Sequence, residues 1–272
     1  RAPSPGERGQ QSSTPRSRTR GSASTANSSD ASRSPAVSRD ARSARIASPL
    51  QPGAARLVLR GEAFELLPER ALWWPARGLL AVADLHLGKC ATYRALGVAM
   101  PDGLVDETLA RLHAIIERTG ATRVVVVGDL VHASRGLTPA VIETFCRFLQ
   151  SCPAAITLVR GNHDRDPLPS PVCDHVRDEG ETLDEVPICF RHEPAPRSGR
   201  YVVAGHLHPT IALADACDRV RVPCFHFGPR VGVLPAFSVF TRGVPMACDE
   251  GDSVFAVVED EVIEIACAHG DA

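Results

Sequence analysis

Four consecutive valines, Val124 to Val127, run directly into Gly128 and Asp129. β-Branched residues at successive positions suit a strand, and a strand that is apolar on both sides must be covered on both sides. A chain with such a strand needs layers above and below it, which an α/β arrangement with parallel pairing supplies. Two other runs have the same form. "GLLAVAD" ends at Asp84, and "AAITLVRGNHD" leads into Asn162, His163 and Asp164.

The segments between these runs read as helices. Leu104, Val105, Leu109, Leu112, Ile115 and Ile116 recur at three and four, which predicts a helix within 101–119. Thr138 as N-cap and Pro139 in the first turn predict a second over 138–150. Before them come the β-type runs "ARLVLRG", "AFELLP" and "RALWWP". The second half is rich in β-type runs: "EVPICFRH", "RYVVAGHLH", "DRVRVPCFHFG" and "LPAFSVFT", with "SVFAVVEDEVIEIA" as a closing hairpin. Strand–helix–strand followed by strand after strand predicts a mixed α/β sandwich. The chain shows no internal repeat.

At 272 residues and 44% hydrophobic, the chain can bury one substantial core. No apolar run approaches the ~18 residues a membrane helix needs, and the polar amino end does not read as a signal peptide. Nine scattered cysteines without a CxxC pair suit free thiols and a cytoplasmic setting. Residues 1–50 are Ser, Arg, Pro and Ala with almost no large apolar side chain, so a disordered tail is expected, with the folded domain over 51–272. The tail carries nine arginines against three acids. That suits a basic arm on nucleic acid, but a solvated tail or an overextended reading frame is the simpler reading. Without the tail the net charge is near −8 rather than the −2 of the whole chain, which counts against a long duplex footprint.

Five polar clusters stand where β-type runs end: Asp84-x-His86, Gly128-Asp129, Gly161-Asn162-His163-Asp164, His192, and Gly205-His206-x-His208. Sites in open α/β sheets gather beyond the carboxyl ends of strands. If the chain stays extended, Asp84 and His86 point to one side, as do His206 and His208. Carboxylate, imidazole and one amide oxygen, without thiolate, suit Mn²⁺, Fe or Zn²⁺. Seven donors are too many for one ion and suit two that share a carboxylate, for which Asp129 is the candidate. Each cluster alone reads as turn chemistry or a satisfied histidine; all five in order read as a metal site.

The same residues resemble a known family. "ADLHLGK", "VVVVGDLVH", "VRGNHDR", "FRH" and "GHLHP" match the signature of calcineurin-like metallophosphoesterases in order. "YRALGVAMPDG", "PCFHFG" and "LPAFSVFTRG" are similar to the branch of bacterial ligase-associated DNA damage response endonucleases. The resemblance implies a four-layer αββα sandwich of two mixed sheets flanked by helices. It implies two divalent metal ions, manganese first, with Fe or Zn²⁺ as alternatives. Asp84, His86, His208 and Asp129 would bind one, and Asn162, His192, His206 and Asp129 the other. His163 would contact the scissile phosphate or protonate the leaving oxygen, and Asp164 would orient His163 by a hydrogen bond. The reaction implied is phosphodiester hydrolysis by a metal-bridging hydroxide, on DNA in a repair setting with a DNA ligase and helicase-like factors.

Around this set stand residues with two readings each. Lys89, Arg94 and Arg165 suit phosphate contact or a surface ion pair. His132 suits support of a ligand. Trp73 and Trp74 suit base stacking or the core, and His226 a packed position. Nothing marks Cys90 as a nucleophile. A phosphatase or a cyclic-nucleotide phosphodiesterase could use the same core. A non-catalytic scaffold should have lost ligands, and none is missing.

Overall fold

The computed structural model describes residues 49–214 and 219–267. The disordered tail expected over 1–50 falls almost wholly outside the described residues. Two mixed sheets carry the fold. The first has the order β1 (Ala55–Leu59), β2 (Glu62–Leu67), β3 (Ala71–Trp74), β4 (Leu79–Val82), β5 (Arg123–Val127), β6 (Ala155–Val159) and β7 (Val176–Asp178). β1 to β4 pair antiparallel as hairpins, and β4 to β7 pair parallel. The parallel half is where the chain inserts helices: α1 (Lys89–Ala95), α2 (Leu104–Thr119) and α3 (Pro139–Ser151). Thr138 caps α3 as expected, its hydroxyl accepting from the Val141 amide at 3.4 Å.

The second sheet contains β8 (Thr182–Glu185), β9 (Ile188–Arg191), β10 (Tyr201–Ala204), β11 (Pro209–Ala214), β12 (Arg219–Phe227), β13 (Val231–Val233) and β14 (Val244–Pro245), joined by the hairpin of β15 (Ser253–Val258) and β16 (Glu261–Ile265). β9, β10 and β13 run parallel to one another, and the long β12 turns from β11 to β13 and β15 along its length.

Alternation along the strands divides the core in two. Leu80, Val82, Val124 and Val126 face α2 and α3, packing against Leu109, Leu112, Ile116, Phe145 and Leu149. Leu79, Ala81, Val125 and Val127 face the second sheet and meet Phe190, Val203, Phe225 and Phe255. Each such side chain, fully buried, contributes about 1.5–3 kcal/mol. The four valines are thus covered on both sides.

Several expectations change. The two-sheet sandwich holds; among the described residues α2 and α3 cover the first sheet, and no helix follows β8. "LPAFSVFT" is not a strand. Pro235 lacks an amide proton for a ladder, and only Ala236 pairs, in a single bridge to Ala83. Trp73 and Trp74 are 6% and 0% exposed, one on each face of β3, so neither can stack a base. Six described cysteines are free, but Cys248 and Cys267 form a disulfide with Cα atoms 5.4 Å apart. The β15–β16 hairpin brings them together, a juxtaposition that spacing alone does not reveal. Among the described residues no helix is long and apolar enough to cross a membrane.

Candidate metal centre

Five strand ends deliver the site. Asp84, Asp129 and Asn162 follow β4, β5 and β6 of the first sheet; His192 and His206 follow the parallel neighbours β9 and β10 of the second. The ends are tied together by backbone. The Asp84 amide donates to Gly128 O at 3.1 Å, His86 to Asp129 O at 2.9 Å, and Gly205 to His192 O at 3.1 Å.

The backbone at these ends is not extended. φ is 58° at Asp84, 51° at His86, 52° at Asp129, 71° at His206 and 49° at His208. Asp and His tolerate this left-handed region better than most residues, yet it still costs on the order of 1–2 kcal/mol each. Five of the eight non-glycine residues with positive φ among those described are candidate ligands, so backbone strain concentrates at the site. The pairs 84/86 and 206/208 therefore converge by two left-handed kinks around one intervening leucine, not by the two-residue repeat of a strand. The glycines of the motifs leave room for ligands: a Cβ on Gly128 would lie 2.0 Å from His192 Nδ1, and one on Gly161 2.2 Å from Asp129 Oδ1.

Hydrogen bonds fix which nitrogens face inward. A carbonyl can only accept, so His192 donates from Nδ1 to Val127 O at 3.1 Å, and His208 from Nδ1 to Arg242 O at 3.3 Å. Each ring then aims Nε2 into the site, as metal-ligating histidines do. His192 Nε2 lies 3.0 Å from Asn162 Oδ1, 3.4 Å from Asp129 Oδ1 and 3.1 Å from His206 Nδ1. His208 Nε2 lies 3.1 Å from Asp84 Oδ1. Despite that approach, His208 Nε2 is buried without a hydrogen-bond partner, as is His86 Nδ1. Unpaired buried polar atoms cost about 1–3 kcal/mol each. So many lone pairs facing one another need a second proton on a ring or a cation between them.

The electrostatics agree. Burial would raise the Asp129 carboxyl, but its contacts with His192 and the His163 amide outweigh that and hold it below its ordinary value. Burial would lower His192, and the same Asp129 contact raises it instead. Burial pushes His86 down to about 3 against the pull of Asp129, leaving the neutral imidazole that can ligate. Three groups have donor atoms within 4.8 Å of one another: Asp84, His86 and His208; Asp84, Asp129 and His192; and His86, His132 and His163. The first two, with Asn162 and His206 beside them, contain all seven residues expected as ligands. Their donor set fits divalent cations held by oxygen and nitrogen.

His163 is oriented by a different group from the one expected. Its Nδ1 donates to the main-chain oxygen of His132 at 2.6 Å, and its Nε2 lies 3.9 Å from Asp129 Oδ2. Asp164 does not orient it. That buried carboxylate accepts from the amides of Gly161 at 2.9 Å, Val131 at 3.1 Å and Leu130 at 3.3 Å, riveting the loop after β6 to the loop after β5. The short Gly161–Asp164 loop and the buried amides of the neighbouring loop claim both its oxygens. His132 supplies His163 with its carbonyl and also a ring face, with centroids 5.0 Å apart.

The flanking cations separate. Lys89 Nζ donates to Thr241 Oγ1 at 3.2 Å, and burial lowers its pKa. Arg165 donates from Nε to Asn162 O at 3.0 Å and stays exposed beside the cleft. Arg94 is taken up by Asp102 and the carbonyls of Met100 and Pro101, an exposed ion pair that closes its own loop. His226 is packed, 3.1 Å from Asp252 Oδ2, and burial raises the Cys90 thiol, which suits an inert cysteine.

Sequence reasoning missed the strap of residues 236–244. Phe237 and Ser238 donate to Ala83 O at 2.8 Å and Asp84 O at 3.2 Å, Thr241 receives Lys89, and Arg242 O receives His208. Two partly buried arginines hold it from behind: Arg70 reaches Ala236 O and Ser238 O at 3.4 and 3.3 Å, and Arg111 bonds Phe237 O. The run "LPAFSVFTRG" was visible; its use as a backbone brace was not.

The calcineurin-like phosphoesterase family matches residues 79–240, which span every one of these strand ends. Among solved structures, the chain is similar to the Pseudomonas putida nuclease MPE. Identity is 31% over 78% of this chain and 100% of that one, with a TM-score of 0.68. It is more loosely similar to YfcE, a phosphoesterase from E. coli, at 17% identity over 70% of this chain and 99% of that one, with a TM-score of 0.35. No curated protein sequence matches it. Members of this family bind two divalent metals, and the donor groups described above suit such ions. On the matched span and the 31% identity over the full length of the nuclease, the chain belongs to the calcineurin-like phosphoesterase family.

Proposed function

We propose that the protein is a phosphodiesterase dependent on two divalent metals, and that its substrate is DNA. The observation that carries the reading is the convergence of seven oxygen and nitrogen donors from five strand ends, with His163 beside them. Similarity to a solved nuclease supports the choice of nucleic acid. Asp84, His86 and His208 would hold one ion and Asn162, His192 and His206 the other, with Asp129 shared. An oxygen-and-nitrogen donor set without thiolate suits manganese, iron or zinc, and manganese is the first ion to test.

When bound, the two cations would neutralise the phosphodiester charge and supply an activated water at neutral pH. The chain's own residues do the rest. His163 keeps its Nδ1 proton on the His132 carbonyl with Nε2 toward the cleft; as the doubly protonated imidazolium it would donate the Nε2 proton to the leaving oxygen and be left as the neutral Nδ1–H ring. Asp164 acts on the loops and not on His163. Arg165, exposed and bonded to Asn162 O, and Lys89, bonded to Thr241, would be the cations that meet the phosphate. The net charge near −8 outside the tail supports a short footprint, while the basic tail would add a salt-dependent arm. A cytoplasmic repair setting with a DNA ligase and helicase-like factors is part of the same proposal.

The test is turnover by purified protein with Mn²⁺ on bis-p-nitrophenyl phosphate, a single-stranded oligonucleotide and a supercoiled plasmid. Diester hydrolysis and DNA cleavage, both abolished by chelation, are expected. Release of phosphate from monoesters alone would make it a phosphatase, and cleavage of cyclic nucleotides alone a cyclic-nucleotide phosphodiesterase. No turnover on any of them would leave the scaffold. Removing residues 1–50 should lower the salt slope of DNA binding if the tail is an arm.

A further inference from the structure

The rings of Tyr93, His132 and His163 form an offset-stacked column that ends at the metal cleft. Tyr93 and His132 have centroids 5.7 Å apart and planes 20° apart; His132 and His163 are 5.0 Å and 22° apart. The innermost ring is the one placed to meet the leaving oxygen. The outermost lies on α1 and is about a third exposed.

The middle ring depends on its neighbours. The buried Nδ1 of His132 has no hydrogen-bond partner. Polar contacts therefore do not set its rotation from that side, and ring contacts take over. His86 meets it nearly perpendicular, at 5.4 Å and 84°, while Tyr93 and His163 lie nearly parallel to it. The backbone makes this arrangement firm. His132 donates its amide to Leu87 O at 3.0 Å, and Leu87 donates to Leu130 O at 2.8 Å, just before α1 begins. His132 is thus hydrogen-bonded to the segment that leads into α1, the helix that carries Tyr93.

We propose that Tyr93 is a positioning residue for His163, acting through the His132 ring. The proposal rests on the phosphodiesterase reading for its effect on turnover, but not for its effect on the imidazoles. Offset aromatic contacts are weak singly, yet a small displacement of a reacting group lowers rate far more than it lowers stability. The column is a matter of ring faces, so phenylalanine should serve in place of tyrosine.

The experiment compares Tyr93→Ala, Tyr93→Leu and Tyr93→Phe in the full chain. On bis-p-nitrophenyl phosphate, kcat is expected to fall roughly tenfold or more in the Ala and Leu variants, with KM and bound metal within about twofold of wild type. Phe should restore kcat. A second readout needs no turnover: the His163 Nδ1–H signal in the imidazole region of a proton–nitrogen NMR spectrum of the zinc-loaded protein. It should be sharp in wild type and Phe, and broadened or shifted in Ala and Leu. An unchanged signal and kcat in Tyr93→Ala would overturn the proposal. So would a rise in KM confined to nucleic acid, which would make Tyr93 a base contact. If wild type hydrolyses nothing, the phosphodiesterase reading fails, and the imidazole signal still decides the role of Tyr93.

Discussion

His163 donates its Nδ1 proton to the main-chain oxygen of His132 at 2.6 Å, which fixes the tautomer and leaves Nε2 facing the cleft 3.9 Å from Asp129. His192 and His208 are held the same way, but His163 is more exposed and its Nε2 stands farther from a carboxylate oxygen, which suits the proposed contact with substrate. His163→Ala is therefore expected to lower kcat by roughly 10²–10⁴-fold while both metals stay bound. Metal analysis of the variant beside its kinetics checks this, and loss of one metal equivalent would make His163 a ligand.

Asp164 accepts three amide hydrogen bonds from two loops. Replacing it with alanine strands buried donors, each costing about 1–3 kcal/mol. Urea denaturation of Asp164→Ala should show a loss of at least about 2 kcal/mol, with the unfolding slope unchanged. Loss of activity at full stability would return Asp164 to the role of orienting His163.

The left-handed backbone at His86 makes a prediction separate from metal binding. Both His86→Gly and His86→Ala remove the imidazole, but only glycine adopts φ near 51° freely. In chelator, the glycine variant should be the more stable by about 1 kcal/mol. Equal stability would mean that the kink carries no strain.

Much of this was legible in the sequence. Four valines set a strand buried on both faces, leucines and isoleucines at three and four set α2, and the order of the five clusters set the site. What the sequence could not show is how the ligands converge. An extended Asp84-x-His86 and a left-handed one are spelled alike, and the difference is decided by Gly128, Gly161 and the strap packed around them. The family resemblance made Asp164 a partner of its neighbour His163; its partners are the Gly161 amide in its own loop and two amides some thirty residues earlier. The strap and the Tyr93 column are contacts between distant segments, which no local spacing encodes.

Lys89 and Arg94 looked equivalent in the sequence and should now differ. Arg94 is committed to Asp102 and its own loop, so Arg94→Ala should leave kcat/KM within about twofold, in line with the small contribution of exposed ion pairs. Lys89→Ala should lower kcat/KM about tenfold or more, as loss of a cation near a phosphate does. The same steady-state assay on the two variants decides it, and equal losses would place Arg94 back among the phosphate contacts.

The account stands on two cations sharing Asp129. Its most direct test is anomalous diffraction from crystals of the manganese-loaded protein. Two anomalous peaks about 3.5–4 Å apart are predicted, one against Asp84, His86 and His208 and the other against Asn162, His192 and His206, with Asp129 reaching both. A single peak, or manganese bound away from these residues, would contradict it.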